Sequence, residues 1–392
     1  GGAFLSIYDQ LYGANFEHIM PHHEQGGIHA ADGYARSTGK VGVCIATSGP
    51  GGTNLVTGLA TAYMDSVPIV AFTGQVPSSM IGTDAFQEAD ITGITVPITK
   101  HNYLVQDVEE LPKIIKEAFH LARTGRPGPV LVDIPKDILN SEGEFDYPTQ
   151  VELPGYKPNY QGHSLQIKEV ANAINQAEKP VIYGGGGVIS SEASQELREL
   201  AAKSEIPVTT TLNGLGAVDE RDKLSLGMLG MHGTTEANLA VFNTDLLIAI
   251  GARFDDRVTG ELESFAKEAK VIHIDIDPAE VGKRLLVDIP VVGDVKNVLD
   301  ELNPLVEEKK RPEWIVQIDE WRQLDNPRAR TTDDKILPHE IIEEIDDLTK
   351  GQALLTTEVG QHQMWAAQFY QFSEPRSFAS SGGLGTMGYG FP

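Results

Sequence analysis

Residues 41–62 read VGVCIATSGPGGTNLVTGLATA, and their order decides the fold class. A short apolar run, 41–46, is closed by the turn residues Thr47 to Gly52, and a helical pattern follows over 54–62. Continuous apolar runs without alternation, separated by helices, are the signature of buried parallel strands. The same grammar extends outward. Residues 67–72 (VPIVAF) and 130–134 read as strands, closed by Thr73-Gly74 and Pro135, while 16–20 reads as extended and 28–37 as helix. A first domain is therefore expected over 1–140. Residues 141–162, punctuated by Gly143, Pro148, Pro154, Gly155 and Pro158, read as a linker. A second α/β unit is expected over 163–305, with strands at 180–183, 207–211, 246–250, 271–276 and 290–292 and a helix over 191–203. Five strands alternating with helices predict a doubly wound parallel sheet. A polar connector is expected over 306–335, and a third domain over 336–392 that the chain's end cuts short.

The 392 residues are 41% hydrophobic and 22% charged, a globular composition of two or three domains. The net charge of −25 repels phosphate backbones and argues against nucleic acid as a partner. A single cysteine, Cys44, excludes an internal disulfide framework and any zinc site with several thiolates. No apolar run approaches the roughly 18 residues of a membrane helix, and no signal peptide opens the chain. The start at Gly1-Gly2 leads us to expect a missing N-terminal stretch.

Several places can carry chemistry. Glu24, in HHEQGG at 22–27, stands ahead of a helix; the macrodipole alone favours a carboxylate there, and His22 and His23 read as loop residues rather than as a zinc pair. The turn Ser48 to Asn54 can hold an anion at a helix start or simply need glycine conformations; it lacks the Lys-Ser/Thr of a P-loop. Residues 383–388 spell G-x-G-x-x-G without a following βαβ unit. Gly184 to Gly187 follow a strand and suit a nucleotide or flavin phosphate, without the dinucleotide spacing. Arg253 to Arg257 (RFDDR) follow another strand, read either as a ligand loop or as exposed ion pairs. Asp275 and Asp277 suit a ribose hydroxyl or a helix cap before Pro278.

The order of these elements, with ADGYAR at 31–36, GRPGP at 125–129 and the glycine-rich 382–388, resembles the thiamine-diphosphate-dependent enzymes of the acetolactate synthase group. RFDDR aligns it with the biosynthetic, FAD-containing acetohydroxyacid synthases. The resemblance covers essentially the whole chain. It implies three doubly wound α/β domains: pyrimidine-binding (1–140), a central Rossmann-like FAD domain (163–305) and a truncated diphosphate-binding domain (336–392). It implies decarboxylation of pyruvate and transfer of the two-carbon unit to pyruvate or 2-ketobutyrate, giving 2-acetolactate or 2-aceto-2-hydroxybutyrate for branched-chain amino acid synthesis.

The resemblance also assigns residues. Glu24 matches the glutamate that relays a proton through the aminopyrimidine. Gln75, Phe86 and Lys100 match the substrate channel, and Arg257 the grip on the second keto acid. Gly360, Gln361, His362, Gly385 and Met387 match thiamine contacts. Arg126, Gly185, Gly186, His232, Gly233, Thr234, Gly251, Arg253, Asp255, Arg257, Asp275, Asp277 and Asp294 match FAD contacts, the flavin performing no net redox step. The Mg²⁺ ligands are expected beyond Pro392, so no metal ligand is assigned here and the chain by itself is expected to be inactive. A homodimer or higher homo-oligomer, a small regulatory subunit and a cytoplasmic location (a plastid or mitochondrion in a eukaryote) are implied, with no nucleic acid or membrane partner. The rivals are a catabolic acetolactate synthase, glyoxylate carboligase or pyruvate oxidase, against the first of which RFDDR argues, and a flavin-binding protein without a thiamine site, against which Glu24 argues.

Overall fold

The computed structural model describes residues 1–324 and 335–391. Their contacts divide the chain into two compact units, Gly1–Lys157 with Ser381–Pro392, and Pro158–Ser380.

In the first unit, β1 (Gly42–Ala46), β2 (Ile69–Gln75), β3 (His101–Leu104) and β4 (Val130–Pro135) form a parallel sheet in the order β1-β2-β4-β3. β2 is buried on both faces, and successive side chains serve opposite cores. Ile69 and Ala71 pack with Ile28, Ala31 and Leu59 of the helices Glu24–Thr38 and Val56–Asp65. Val70 packs with Ile114, Ala118 and Leu121 of the helix Leu111–Arg123. Two cores from one strand explain why its sequence shows no polar alternation.

In the second unit, β5 (Pro180–Gly184), β6 (Val208–Thr210), β7 (Ser225–Met228), β8 (Leu246–Ile250), β9 (Lys270–Asp275) and β10 (Ile289–Val292) form a parallel sheet in the order β10-β9-β8-β5-β6-β7. The chain winds outward from β5, then restarts at β8 in the other direction. The carboxyl ends of β5 and β8 are thus a topological switch point, where open α/β sheets bind ligands. Buried Arg311 joins the layers: its guanidinium donates to the carbonyls of Ile174 (2.9 Å), Ala177 and Ser204, at the ends of the helices Ser164–Gln176 and Ser194–Lys203. A cation suits the orphan carbonyls of a helix end. A two-stranded parallel pair, β11 (Leu355–Thr356) and β12 (Phe378–Ala379), completes this unit.

The α/β class and the parallel sheets match expectation; several boundaries differ. β3 and β7 are additional strands. The helix expected at 28–37 starts at Glu24, because the side chain of His23 accepts the Gln25 N–H at 3.1 Å and caps it. The helix expected to open at 54 starts at Val56, and the one at 191–203 starts at Ser194, preceded by a separate short helix, Gly186–Ser190. Residues 141–162 hold no helix or strand. The expected connector 306–335 contains the helix Pro312–Arg322, which buries Trp314 and Ile318; its residues 325–334 lie outside the described residues. Of the expected third domain, 336–380 pack with the second unit and the last residues with the first.

Candidate active site

Glu24 opens its helix with its carboxylate over the turn that follows β1. Asn54 Nδ2 donates to Glu24 Oε2 at 3.0 Å, and this bond holds the carboxyl below its usual range against the opposing effect of partial burial. Glu24 is therefore ionised at neutral pH, an acceptor ready for a proton. Glycine is required across from it. A Cβ on Gly51 would sit 2.7 Å from Thr47 Cγ2 and 3.5 Å from Glu24 Oε1, so its absence keeps the space before that oxygen open. Beside it Thr47 Oγ1 is buried without a hydrogen-bond partner. A fixed carboxylate, an open front and an orphan hydroxyl at the carboxyl end of a parallel strand fit a polar heterocycle such as an aminopyrimidine. Cys44 lies within electrostatic reach; burial, reinforced by the charge of Glu24, pushes its thiol up to about 12 and leaves it inert.

The turn also touches the loop that carries Phe86. Gly49 has φ +60°, and a Cβ there would lie 2.7 Å from the carbonyl of Gln87. Phe86 itself is 89% exposed. Gln75 and Lys100, expected with Phe86 in a channel, have their polar atoms engaged within the unit. Gln75 Nε2 donates to the Ala89 carbonyl (2.7 Å) and to buried Asp133 (3.0 Å), and its oxygen accepts from Val76 N. The Lys100 ammonium donates to the carbonyls of Leu121 (2.6 Å) and Thr124 and to the Tyr156 hydroxyl (2.9 Å), at the end of the helix Leu111–Arg123. Arg126 Nε donates to the Ser66 hydroxyl at 2.8 Å. Gly385, with φ +74°, and Met387, 74% exposed, belong to the closing segment of this unit. Gly360, Gln361 and His362 belong to the second unit, where Gly360 caps the helix Gln361–Phe369.

Of the residues expected at the flavin, Arg126 belongs to the first unit and the others gather at the strand ends of the second. At the switch point the two loops touch backbone to backbone: Gly185 N donates to Ile250 O (3.0 Å) and Gly187 N to Gly251 O (2.9 Å). A Cβ on Gly185 would fall 2.2 Å from Gly251 O. Gly186 begins the helix Gly186–Ser190. The RFDDR loop follows β8. Buried His273 reaches the Ala252 carbonyl at 2.8 Å and packs against Phe254. Asp255 accepts from Arg257 N and Val258 N, and the Arg257 carbonyl accepts from Met231 N at 2.8 Å. That bond brings RFDDR to the loop of His232, Gly233 and Thr234, in which Thr234 caps the helix Thr235–Asn243. Asp275 ends β9 and Asp277 follows it, each accepting a backbone N–H two residues on. Asp294 follows β10 and caps the helix Val295–Leu302. The capping reading and the ligand reading thus fall on the same atoms. Sequence reasoning passed over Thr210 and Thr211, beside Gly184 at the end of β6; both hydroxyls are buried without a partner. Orphan hydroxyls beside a tight glycine turn at the switch point fit a nucleotide-like ligand such as FAD. Among the described residues no group of three or more His, Cys, Asp or Glu side chains could hold a metal ion. No helix among them is long and apolar enough to cross a membrane.

Three family profiles match the chain: the thiamine pyrophosphate enzyme N-terminal TPP binding domain over 1–94, the central domain over 167–302 and the C-terminal TPP binding domain over 358–392. The whole chain is 54% identical to an acetolactate synthase of Mycobacterium bovis, covering 65% of that protein. It is 54% identical to a probable acetolactate synthase large subunit of Methanocaldococcus jannaschii, covering 68%, and 50% identical to an acetolactate synthase large subunit of Haemophilus influenzae, covering 70%. The chain thus spans about two thirds of the length of these relatives.

Proposed function

The chain belongs to the acetolactate synthase large-subunit family of thiamine pyrophosphate enzymes, and from that premise we propose that it decarboxylates pyruvate and transfers the two-carbon unit to a second 2-keto acid. The products are 2-acetolactate from pyruvate and 2-aceto-2-hydroxybutyrate from 2-ketobutyrate. The observation that carries this reading is the Glu24 carboxylate, fixed by Asn54 before the space that Gly51 leaves open.

Thiamine diphosphate, when bound, supplies the electron sink that lets a 2-keto acid lose carbon dioxide. The protein's part begins at Glu24. Kept ionised by Asn54, it takes and returns a proton at Oε1, as a general base and then acid. Gly385 and Met387 would hold the heterocycle from the glycine-rich segment, and Gly360, Gln361 and His362 the start of the diphosphate site. Arg257 would bind the carboxylate of the second keto acid. Its side chain is 71% exposed and only 3.8 Å from Asp256 in a loose ion pair, so its planar fork is available. Gln75, Phe86 and Lys100 would border the channel, Gln75 and Lys100 by shaping its wall in view of their internal hydrogen bonds.

FAD belongs to the same proposal, held at the switch point by Gly185, Gly186, Gly251, Arg253 and Asp275, with Thr210 and Thr211 added. So do the three-domain division, a homodimer, a small regulatory subunit, magnesium bound outside the described residues, and a cytoplasmic location. The test is Glu24→Gln in the full-length protein. We expect acetolactate formation to fall roughly 10²- to 10⁴-fold and the C2 proton of bound thiamine diphosphate to exchange slowly, with flavin content unchanged. Wild-type exchange in the variant would remove Glu24 from this role.

A further inference from the structure

The closing segment of the first unit is braced internally where Thr386 N donates to Ser381 Oγ at 2.9 Å. Gly385 and Gly388 have φ +74° and +82°, and Leu384 and Met387 are 43% and 74% exposed. The rest of the segment is held from outside, by a buried ionic cluster on two helices. Asp65, the last residue of the helix Val56–Asp65, has a fully buried side chain. Its carboxylate accepts from Gly383 N at 2.7 Å and from Gly382 N at 2.9 Å, and also from Arg36 Nη2 at 2.8 Å. Arg36 spans to Asp32 on its own helix through Nε, and Asp32 accepts from the Tyr389 hydroxyl. The guanidinium also lies 5.5 Å from the centre of the Tyr389 ring. Between these points the Thr61 hydroxyl, whose own hydrogen goes to Thr57 O (2.9 Å), accepts from Thr386 Oγ1 at 2.8 Å.

We infer that Asp65, with Arg36, is a positioning residue that fixes residues 382–387 in the shape that receives the aminopyrimidine. The chemistry explains the residue type. Two successive backbone N–H groups and a guanidinium need two acceptor oxygens with spare lone pairs, and a carboxylate offers them. An asparagine would offer one oxygen and set an N–H against a donor. The inference rests on the functional reading above, because it takes Gly385 and Met387 to touch the cofactor.

The test compares full-length wild type, Asp65→Asn and Thr61→Val, which removes one acceptor and keeps the volume close. Amide exchange reports the clamp without reference to activity. Residues 382–389 are expected to exchange about 10-fold faster or more in Asp65→Asn, the scale of one charge-assisted hydrogen bond, with β1 and β2 unchanged. The KM for thiamine diphosphate should rise roughly 10- to 100-fold, as for misplaced groups, while the KM for pyruvate and kcat at saturating cofactor stay within about twofold. A merely structural role would lower activity without this split. Thr61→Val should show the same pattern more weakly, and it carries the test if Asp65→Asn does not fold. Unchanged exchange, or faster exchange with an unchanged cofactor KM, would overturn the inference. A wild type that takes up no thiamine diphosphate would instead overturn the functional reading on which it rests.

Discussion

Asp133 stands inside β4 with 1% of its surface exposed. One carboxylate oxygen accepts from the Thr73 hydroxyl at 2.7 Å and the other from Gln75 Nε2 at 3.0 Å. Burial pushes its pKa up from 3.8 to about 7; the two hydrogen bonds act the other way, and Asp90 adds a further upward push. The folded value lies above the unfolded one. Between about pH 4 and pH 7 the native state therefore holds a proton that the unfolded chain has released, and stability falls as pH rises through that window and is flat above it. At 1.36 kcal/mol per pH unit, the gap amounts to about 4 kcal/mol. Asp133→Asn should remove this dependence without leaving a polar atom unpaired. The Thr73 hydroxyl can turn to accept from the amide nitrogen while the amide oxygen accepts from Gln75. The advantage of the variant over wild type should grow by about 2–3 kcal/mol between pH 5 and pH 8, other titrating groups cancelling in the difference. All three tryptophans, 314, 321 and 365, lie in the second unit, so the assay is amide exchange of β2 and β4, corrected for intrinsic rates. A difference that stays constant with pH, or a variant less stable at pH 8, would refute the reasoning.

Arg311→Met should destabilise the second unit by about 3 kcal/mol, because buried carbonyls at two helix ends lose their donor; denaturation followed by tryptophan fluorescence reads it. Gly185→Ala should lower bound flavin per chain, since the added Cβ would fall 2.2 Å from Gly251 O, with about 1–3 kcal/mol of overpacking; flavin absorbance of the purified protein measures it. Arg257→Lys should retain pyruvate decarboxylation but shift products from acetohydroxy acids toward aldehyde, because lysine keeps the charge and loses the fork. Product analysis with pyruvate and 2-ketobutyrate in competition decides that, and unaltered partitioning would return Arg257 to the surface.

What could be read from the sequence follows from where each strand lies. β2, β4, β5, β8 and β9 have neighbours on both sides and read as apolar runs. β3 (HNYL) and β7 (SLGM) are edge strands, as are β1 and β10, which keep their Val and Ile runs; in β3 and β7 partial exposure admits His101, Asn102 and Gly227, which hides the pattern. The start of the helix at Glu24 was obscured by Gly26 and Gly27, poor helix formers, and by a histidine cap. Glu24 and the glycine turn were each visible, but their junction through Asn54 spans 30 positions, and local pattern carries no such distance. Asp133 was hidden within an apolar run, where an acid is explained only by the Thr73 and Gln75 beside it.

The Asp65 contacts join residues 317 and 318 positions apart, and this orders events during synthesis. The first unit leaves the ribosome first, yet its glycine-rich closing strap is made only after residues 158–380. At about 5–20 residues per second that interval is roughly 11–45 s. Throughout it, Asp32 and Asp65 have Arg36 but lack the tyrosine hydroxyl and the two amides that complete their pairing. The first unit is thus completed only after the entire second sheet has been made.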